Sequence, residues 1–133
     1  MGGGGAKRTP RLAARFADEF NLPFSSVDDT EAAFARVRAA CEKIDRDPTS
    51  LTYSTAQVVC CGSDEAEVAR RAEAIGREPD ELRRNGAAGS AAEVLDTIGR
   101  FGSIGAQRVY LQVLDLADLD HLQLLAAEVL LHV

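Results

Sequence analysis

The sequence predicts an α/β fold in which parallel strands alternate with helices, and three observations carry that reading. Stretches with apolar residues at helical spacing, such as Leu12, Ala13, Phe16, Ala17 and Phe20, are interleaved with runs rich in β-branched, aromatic and small apolar residues, such as Leu51 to Cys61. Helix-start signals recur between them, with Pro10 suited to a first helical turn and Ser90-Ala91-Ala92-Glu93 in the form of a capping box. Strands joined by helices imply a parallel sheet with right-handed crossovers, and such sheets place ligands at the carboxyl ends of their strands.

Taken in order, the chain opens on Met1 and four glycines, Gly2 to Gly5, and runs through Ala6-Lys7-Arg8 into Thr9, a capping residue, and a first helix from about Pro10 to Phe20. Asn21-Leu22-Pro23-Phe24 reads as a brief strand, because Pro23 breaks a helix and biases the residue before it towards extended geometry. A second helix begins near Asp28 or Asp29, buries Phe34, Val37, the stem of Arg38, Cys41 and Ile44, and ends at Asp47-Pro48. Leu51 to Cys61 reads as a largely buried strand that stops at Gly62. Ser63 caps a helix to about Ile75, and a short helix or turn spans Pro79 to Arg84 and ends at Asn85-Gly86. The Ser90 capping box launches a helix with Val94, Leu95, Ile98 and Phe101 on its apolar side, closed by Gly102 and Gly105. Arg108 to Leu114 is the clearest strand, with Val109, Leu111 and Val113 alternating against Tyr110, Gln112 and Leu114. The last helix starts near Asp118 or Asp120 and carries Leu122, Leu125, Ala126 and Val129.

The chain has 133 residues, 46% hydrophobic and 27% charged, which fits one globular domain over residues 1–133 with a core of its own. A net charge of -6 argues against a nucleic-acid surface, since phosphate contacts need a basic footprint. Arg70, Arg71, Arg77, Arg83 and Arg84 cluster in sequence, but Glu65, Glu67, Glu73, Glu78, Asp80 and Glu81 are interleaved with them, the pattern of a solvated helix face. Three cysteines without C-x-x-C spacing, and no apolar leader, point to a reducing, cytoplasmic setting. No apolar run approaches the roughly 20 residues needed to span a bilayer, so no membrane partner is expected.

Chemistry is therefore sought at the carboxyl ends of the strands: the Gly2 to Gly5 turn, Phe24-Ser25-Ser26, Cys60-Cys61-Gly62-Ser63 and Leu114-Asp115. A glycine turn that feeds a helix N-terminus can hold an anion on its amides, with Lys7, Arg8 or the Thr9 hydroxyl adding charge or a hydrogen bond; the same run also fits a plain linker. It lacks the spacing of a P-loop or of a dinucleotide fingerprint. Ser26 fits a helix cap, and Cys60 and Cys61 fit inert packing thiols. Asp115, Asp118 and Asp120 suit a helix start better than a metal, and His121 and His132 have no nucleophile or acid at motif spacing. No catalytic residue is assigned, because neither a triad nor a general base stands out.

The stretch Gly2 to Asn21, with its Leu12-Ala13-Ala14-Arg15 and Ala17-Asp18, resembles the segment of bacterial luciferase-like monooxygenases in which a strand ends in a glycine motif. Gly89-Ser90-Ala91-Ala92-Glu93-Val94 is similar to the Gly-Thr-Pro-Glu-Glu-Val element of that family, and Gly105 to Leu111 to the strand after it. The likeness covers essentially the whole chain and is nearest to members that use the deazaflavin coenzyme F-420 rather than FMN. It implies the C-terminal half of a (β/α)8 TIM-type barrel, running from the end of the fifth strand to the final helix. It further implies a flavin-type cofactor whose phosphate faces Gly2, Gly3, Gly4 and Gly5 with Arg8 and Thr9 beside them, and a small organic substrate. Ser25, Ser26 and Gln112 are placed near the pocket by strand position. A half-barrel would leave strand edges and apolar faces uncovered, so self-association or pairing with a missing N-terminal half is expected.

Overall fold

The computed structural model describes residues 1–133, which form two compact units: Met1–Ala56 with Phe101–Tyr110, and Gln57–Arg100 with Leu111–Val133. In the first, α1 (Arg8–Phe16), β1 (Glu19–Pro23) and α2 (Val27–Glu42) precede a short 3-10 turn, Pro48–Ser50, and the first half of β2 (Thr52–Cys61). β1 lies parallel to β2 with Glu19 opposite Thr52 and Pro23 opposite Ala56. Met1 and Gly2 run along the other side of β1 as a parallel bridge: the Asn21 amide donates to the Met1 carbonyl at 2.8 Å, and Gly2 pairs with Asn21. Because this pairing is parallel, the glycines after Gly2 leave towards the Pro23 end of β1.

The core of this unit follows from small residues on α1 and aromatic ones facing them. Ala13, Ala14 and Ala17 let α1 approach β1 closely, while Phe34 from α2 fills the space against Phe20 and Tyr53. The rings meet edge to face, with centroids 6.2 Å (Phe20–Phe34) and 5.1 Å (Phe34–Tyr53) apart. Arg38 lays its stem inward, its guanidinium 4.8 Å from the Tyr53 centroid, and donates to the Ile104 carbonyl at 3.3 Å. β4 (Arg108–Gln112) also pairs with β2, where Gln107 brackets Tyr53: its amide donates to the Tyr53 carbonyl and its side-chain oxygen accepts from the Tyr53 amide, both at 2.8 Å.

In the second unit the latter half of β2 lies parallel to β3 (Ala87–Gly89), from Val59 opposite Ala87 to Cys61 opposite Gly89. Both faces of β2 are covered here. α3 (Glu65–Ala74) and α4 (Pro79–Asn85) pack Val68, Ala72 and Leu82 onto Val58 and Cys60. α5 (Ala91–Ser103) and α6 (Leu119–Glu128) pack Val94 and Leu125, with Val129 at the α6 C-cap, onto Val59 and Cys61. That two-sided burial is why β2 reads as a nearly continuous apolar run. Gly86 sits where a Cβ would stand 2.7 Å from the Leu82 carbonyl and 2.8 Å from that of Val58, so the chain can enter β3 only through a residue without one.

Several boundaries differ from the sequence reading, each for a local reason. The first helix stops at Phe16, not Phe20: Ala17 is already extended, Arg46 donates to the Ala14 and Ala17 carbonyls at 3.0 and 2.8 Å, and Phe20 and Leu22 are buried on the alternating pattern of a strand. Phe16, expected in the core, is exposed. Ile44, also expected in the core, lies past the end of α2 and is exposed. Asp64 rather than Ser63 caps α3, its carboxylate accepting from the Glu67 amide at 2.8 Å. β3 has no counterpart in the sequence reading, because three small residues carry no strand signal until β2 lies beside them. The last strand alternates as expected but is only half-buried. No helix is long and apolar enough to cross a membrane.

Phe34 is fully buried and touches both neighbouring rings. Phe34→Ala is expected to lower the unfolding free energy by about 3–5 kcal/mol, read as a lower urea midpoint at unchanged slope.

Candidate functional site

The carboxyl edge of a parallel sheet is where its backbone and following helix N-termini are free to meet a ligand. In the second unit that edge is closed by the protein's own groups. Arg71, which the interleaved charges of α3 had placed on a solvated face, is buried instead. Its guanidinium donates to the Cys61 carbonyl at 2.7 Å and to Asp118 at 2.8 Å, and pairs with Glu67 at 2.9 Å. His121 is buried beside it and accepts the Cys61 amide proton on Nε2 at 3.0 Å, which fixes the ring as neutral with its proton on Nδ1. Glu67 takes the Ser63 amide and Glu93 that of Ser90. Beside Arg71, Asp118 and His121 lies a cavity of about 10 Å³, lined also by Val59, Cys60 and Asp115, with room for one water.

Electrostatics follow the geometry. The Arg71 hydrogen bond holds the Asp118 carboxyl down at about 2. Burial, then the Arg71 charge, pushes the His121 imidazole below its usual range, and burial pushes the Cys60 and Cys61 thiols up. Cys60 and Cys61 are thus protonated packing residues, and His121 has spent its free nitrogen on the backbone. Asp118 is the N-cap of α6, taking the His121 amide at 2.9 Å, the helix-start role its sequence position suggested. The Asp118 cap and the inert thiols were legible in the sequence, whereas the buried Arg71–His121 pair was not. Glu67 and Arg71 stand four apart like any surface pair, and only the return of α6 brings Asp118 to them.

A second polar cluster lies at the amino ends of the strands in the first unit. Glu19 accepts from Ser54 at 2.6 Å, Tyr110 at 3.0 Å and Arg108 at 2.8 Å, and Asn21 donates to Ser54 at 3.0 Å. The Ser54 hydrogen bond foremost keeps the Glu19 carboxyl below its ordinary range. Glu19 and Arg108 open their strands, the end that serves stability in parallel sheets.

The glycine turn is different, because it is open. Gly3 has φ +133°, a conformation side chains rarely adopt; a Cβ on Gly5 would stand 2.6 Å from the Thr9 hydroxyl, and one on Gly4 would meet nothing. The turn therefore brings Gly3, Gly5 and Thr9 together, with Arg8 exposed on the first turn of α1. Gly2 is engaged with β1. The N-cap Lys7 makes no side-chain capping bond, and no acidic residue lies in the first turn of α1. By contrast α2, α3, α5 and α6 begin with capping side chains from Ser26, Asp64, Ser90 and Asp118 and carry acids in their first turns. Lys7 and Arg8 put positive charge at the positive end of the α1 dipole, an arrangement an anion would relieve. Of the other residues placed near the pocket, Ser26 is occupied as the α2 cap, Ser25 donates to the Pro23 carbonyl at 3.1 Å, and Gln112 is exposed in the second unit.

Parallel strands linked by helices, with the open glycine turn at a carboxyl edge, define an α/β protein of the kind that places its site at strand ends. Its family is fixed by sequence: the luciferase-like monooxygenase family matches residues 1–110, and the chain belongs to it. No curated protein matches the chain. The fold is similar to the coenzyme F-420 dependent tetrahydromethanopterin reductase of Methanopyrus kandleri, with TM-score 0.79 and 15% identity over 99% of this chain and 50% of that one. It is similar to the EDTA monooxygenase of Chelativorans sp. BNC1, with TM-score 0.71 and 22% identity over 96% of this chain and 42% of that one. The oxygenating constituent of 3,6-diketocamphane monooxygenase from Pseudomonas putida, in complex with FMN, gives TM-score 0.65 and 15% identity over 96% of this chain and 46% of that one. The chain thus spans half or less of the length of each.

Acid should weaken the buried cluster of the second unit. Asp118, depressed from its ordinary 3.8 to about 2, contributes stability that is complete above the ordinary value and is lost as pH falls towards 2. His121, depressed from 6.5, lets the unfolded chain take up the proton first, so stability declines as pH drops below 6.5. His121→Gln should flatten the pH dependence just below 6.5, and Asp118→Asn the part below 3.8. Asp118→Asn should also cost roughly 1–3 kcal/mol at neutral pH, because it removes one of the two carboxylates that compensate the buried Arg71 charge while Glu67 remains. Denaturant melts across pH check both.

Proposed function

We propose that the chain is a luciferase-like oxidoreductase of flavin or deazaflavin type, in which Gly2 to Gly5, Arg8 and Thr9 seat the cofactor's phosphate. The start of α1 carries the reading: an uncapped helix N-terminus without acids, two cations beside it, and glycines before it that let backbone amides approach an anion. The donor set suits a phosphate. Coenzyme F-420 is the first choice and FMN the second; enzymes of both kinds are among the structural relatives, and the phosphate they have in common is what the turn would recognise.

When bound, the cofactor supplies the hydride or oxygen chemistry on a small organic substrate. This chain's part is to fix the phosphate. The Gly3 to Gly5 amides and the first turn of α1 present donors, Arg8 adds charge, and the Thr9 hydroxyl lies beside Gly5. No side chain of the second unit's buried cluster is assigned a proton-transfer role, since His121 and Arg71 are committed to the Cys61 backbone. The relatives are about twice as long, so contacts to the cofactor ring and the substrate come from a further half, supplied by another chain segment or a second copy. Exposed Leu116, Leu119, Leu130, Leu131 and Val133 fit such a covered surface.

Fluorescence titration tests the cofactor reading. FMN and coenzyme F-420 should bind, and Arg8→Gln should weaken FMN about tenfold while leaving riboflavin, which lacks the phosphate, unchanged. Binding by neither cofactor would leave a non-enzymatic α/β module as the reading. Sedimentation of the purified chain should give a dimer or larger species, and a stable monomer would remove the self-association.

A further inference from the structure

A groove of about 340 Å³ in the first unit is lined by Arg8, Arg11 and Arg15 of α1 and by Lys43 at the end of α2, over a floor of Leu12, Ala40 and Ile44. Positions 8, 11 and 15 fall on one face of α1, so the three guanidinium groups follow the groove. All four cations are exposed, and no carboxylate stands within 4.0 Å of any of them. Ion pairs are formed by Arg70, Arg71, Arg77, Arg83 and Arg108; what marks the groove is that four cations without one stand around a single concavity. In a chain of 21 carboxylates and 15 Lys and Arg, net charge -6, four cations without a carboxylate partner around one concavity are a local excess that repels itself. Glu42, Asp45 and Asp47 are nearby in sequence, yet none lines the groove.

The geometry points to a second binding site here, for a small organic anion with two or more acidic groups on an apolar body. The volume falls in the range of small-molecule pockets, roughly 300–1,000 Å³. Cations around the rim match charges spaced apart on the ligand, and the floor of Leu12, Ala40 and Ile44 removes its hydrocarbon or aromatic body from water. A fully hydrated inorganic anion would use the rim and leave the floor wet; an uncharged apolar molecule would do the reverse. The site is distinct from the glycine turn, which works through backbone amides, and the two have only Arg8 in common.

The test is an amide NMR titration of the isotope-labelled chain with naphthalenedisulfonate, with pyrophosphate and naphthalenemethanol as controls. Shifts should map to residues 11, 12, 15, 40, 43 and 44. The disulfonate should bind about tenfold more tightly than either control, which lacks the apolar body or the charge. Arg11→Gln with Arg15→Gln should weaken it about tenfold, and Arg11→Lys with Arg15→Lys should restore most of the affinity, because the interaction is mainly with charge. Both positions are exposed, so the same spectra report that the variants fold. Shifts centred on the exposed leucines of α6 and the residues after it, or equal binding by the Gln double variant, would overturn the proposal. FMN affinity should be unmoved by the Gln double variant, which separates this outcome from that of the cofactor reading.

Discussion

The pairing demands of β2 are the constraint on which the rest depends. Ten residues of strand, buried at all but two positions, cannot leave their amides and carbonyls unpartnered, because each such group taken from water without a partner costs about 1–3 kcal/mol. β1 and β4 meet that demand in the first unit and β3 in the second. Where no strand continues the ladder, side chains stand in: the Gln107 amide oxygen takes the Tyr53 N–H, and His121 and Arg71 take the two backbone groups of Cys61. A three-residue strand as weak in propensity as Ala87–Gly89 exists for the same reason.

Charge is used in opposite ways in the two units. In the second, a guanidinium withdrawn from water is surrounded by two carboxylates and a carbonyl, and each of those acceptors has a second structural duty as a helix cap, a turn partner or a strand end. Such a cluster fixes geometry more than it adds net stability, since desolvation offsets much of the attraction. In the first unit the cations of α1 remain in water without a carboxylate partner, Arg11 reaching only the Lys7 carbonyl at 3.4 Å. That contrast separates a carboxyl edge closed by its own side chains from one still open to an anion.

Polar groups are used differently at the two ends of the strands. The network of Glu19, Ser54, Asn21, Arg108 and Tyr110 ties the amino ends together, and the carboxyl end at the glycine turn keeps its donors free.

The sequence by itself determined the alternation of helices and strands, the glycine turn ahead of α1, the Ser26 cap, the Ser90 capping box, the burial of Phe34 and the family. All of these are set by neighbours a few residues apart, through periodicity, capping and local motif. It could not end the first helix, because Phe20 suits a helical face as well as a strand, and the decision fell to Arg46 capping α1 and to β2 pairing with β1. Nor could it tell Arg71 from Arg70. Both follow glutamates at helical spacing, and only Asp118, Cys61 and His121, brought in from 10 to 50 residues away, make one a buried keystone and leave the other at the surface. Burial is a property of what comes back to cover a side chain, and that lies outside any local window.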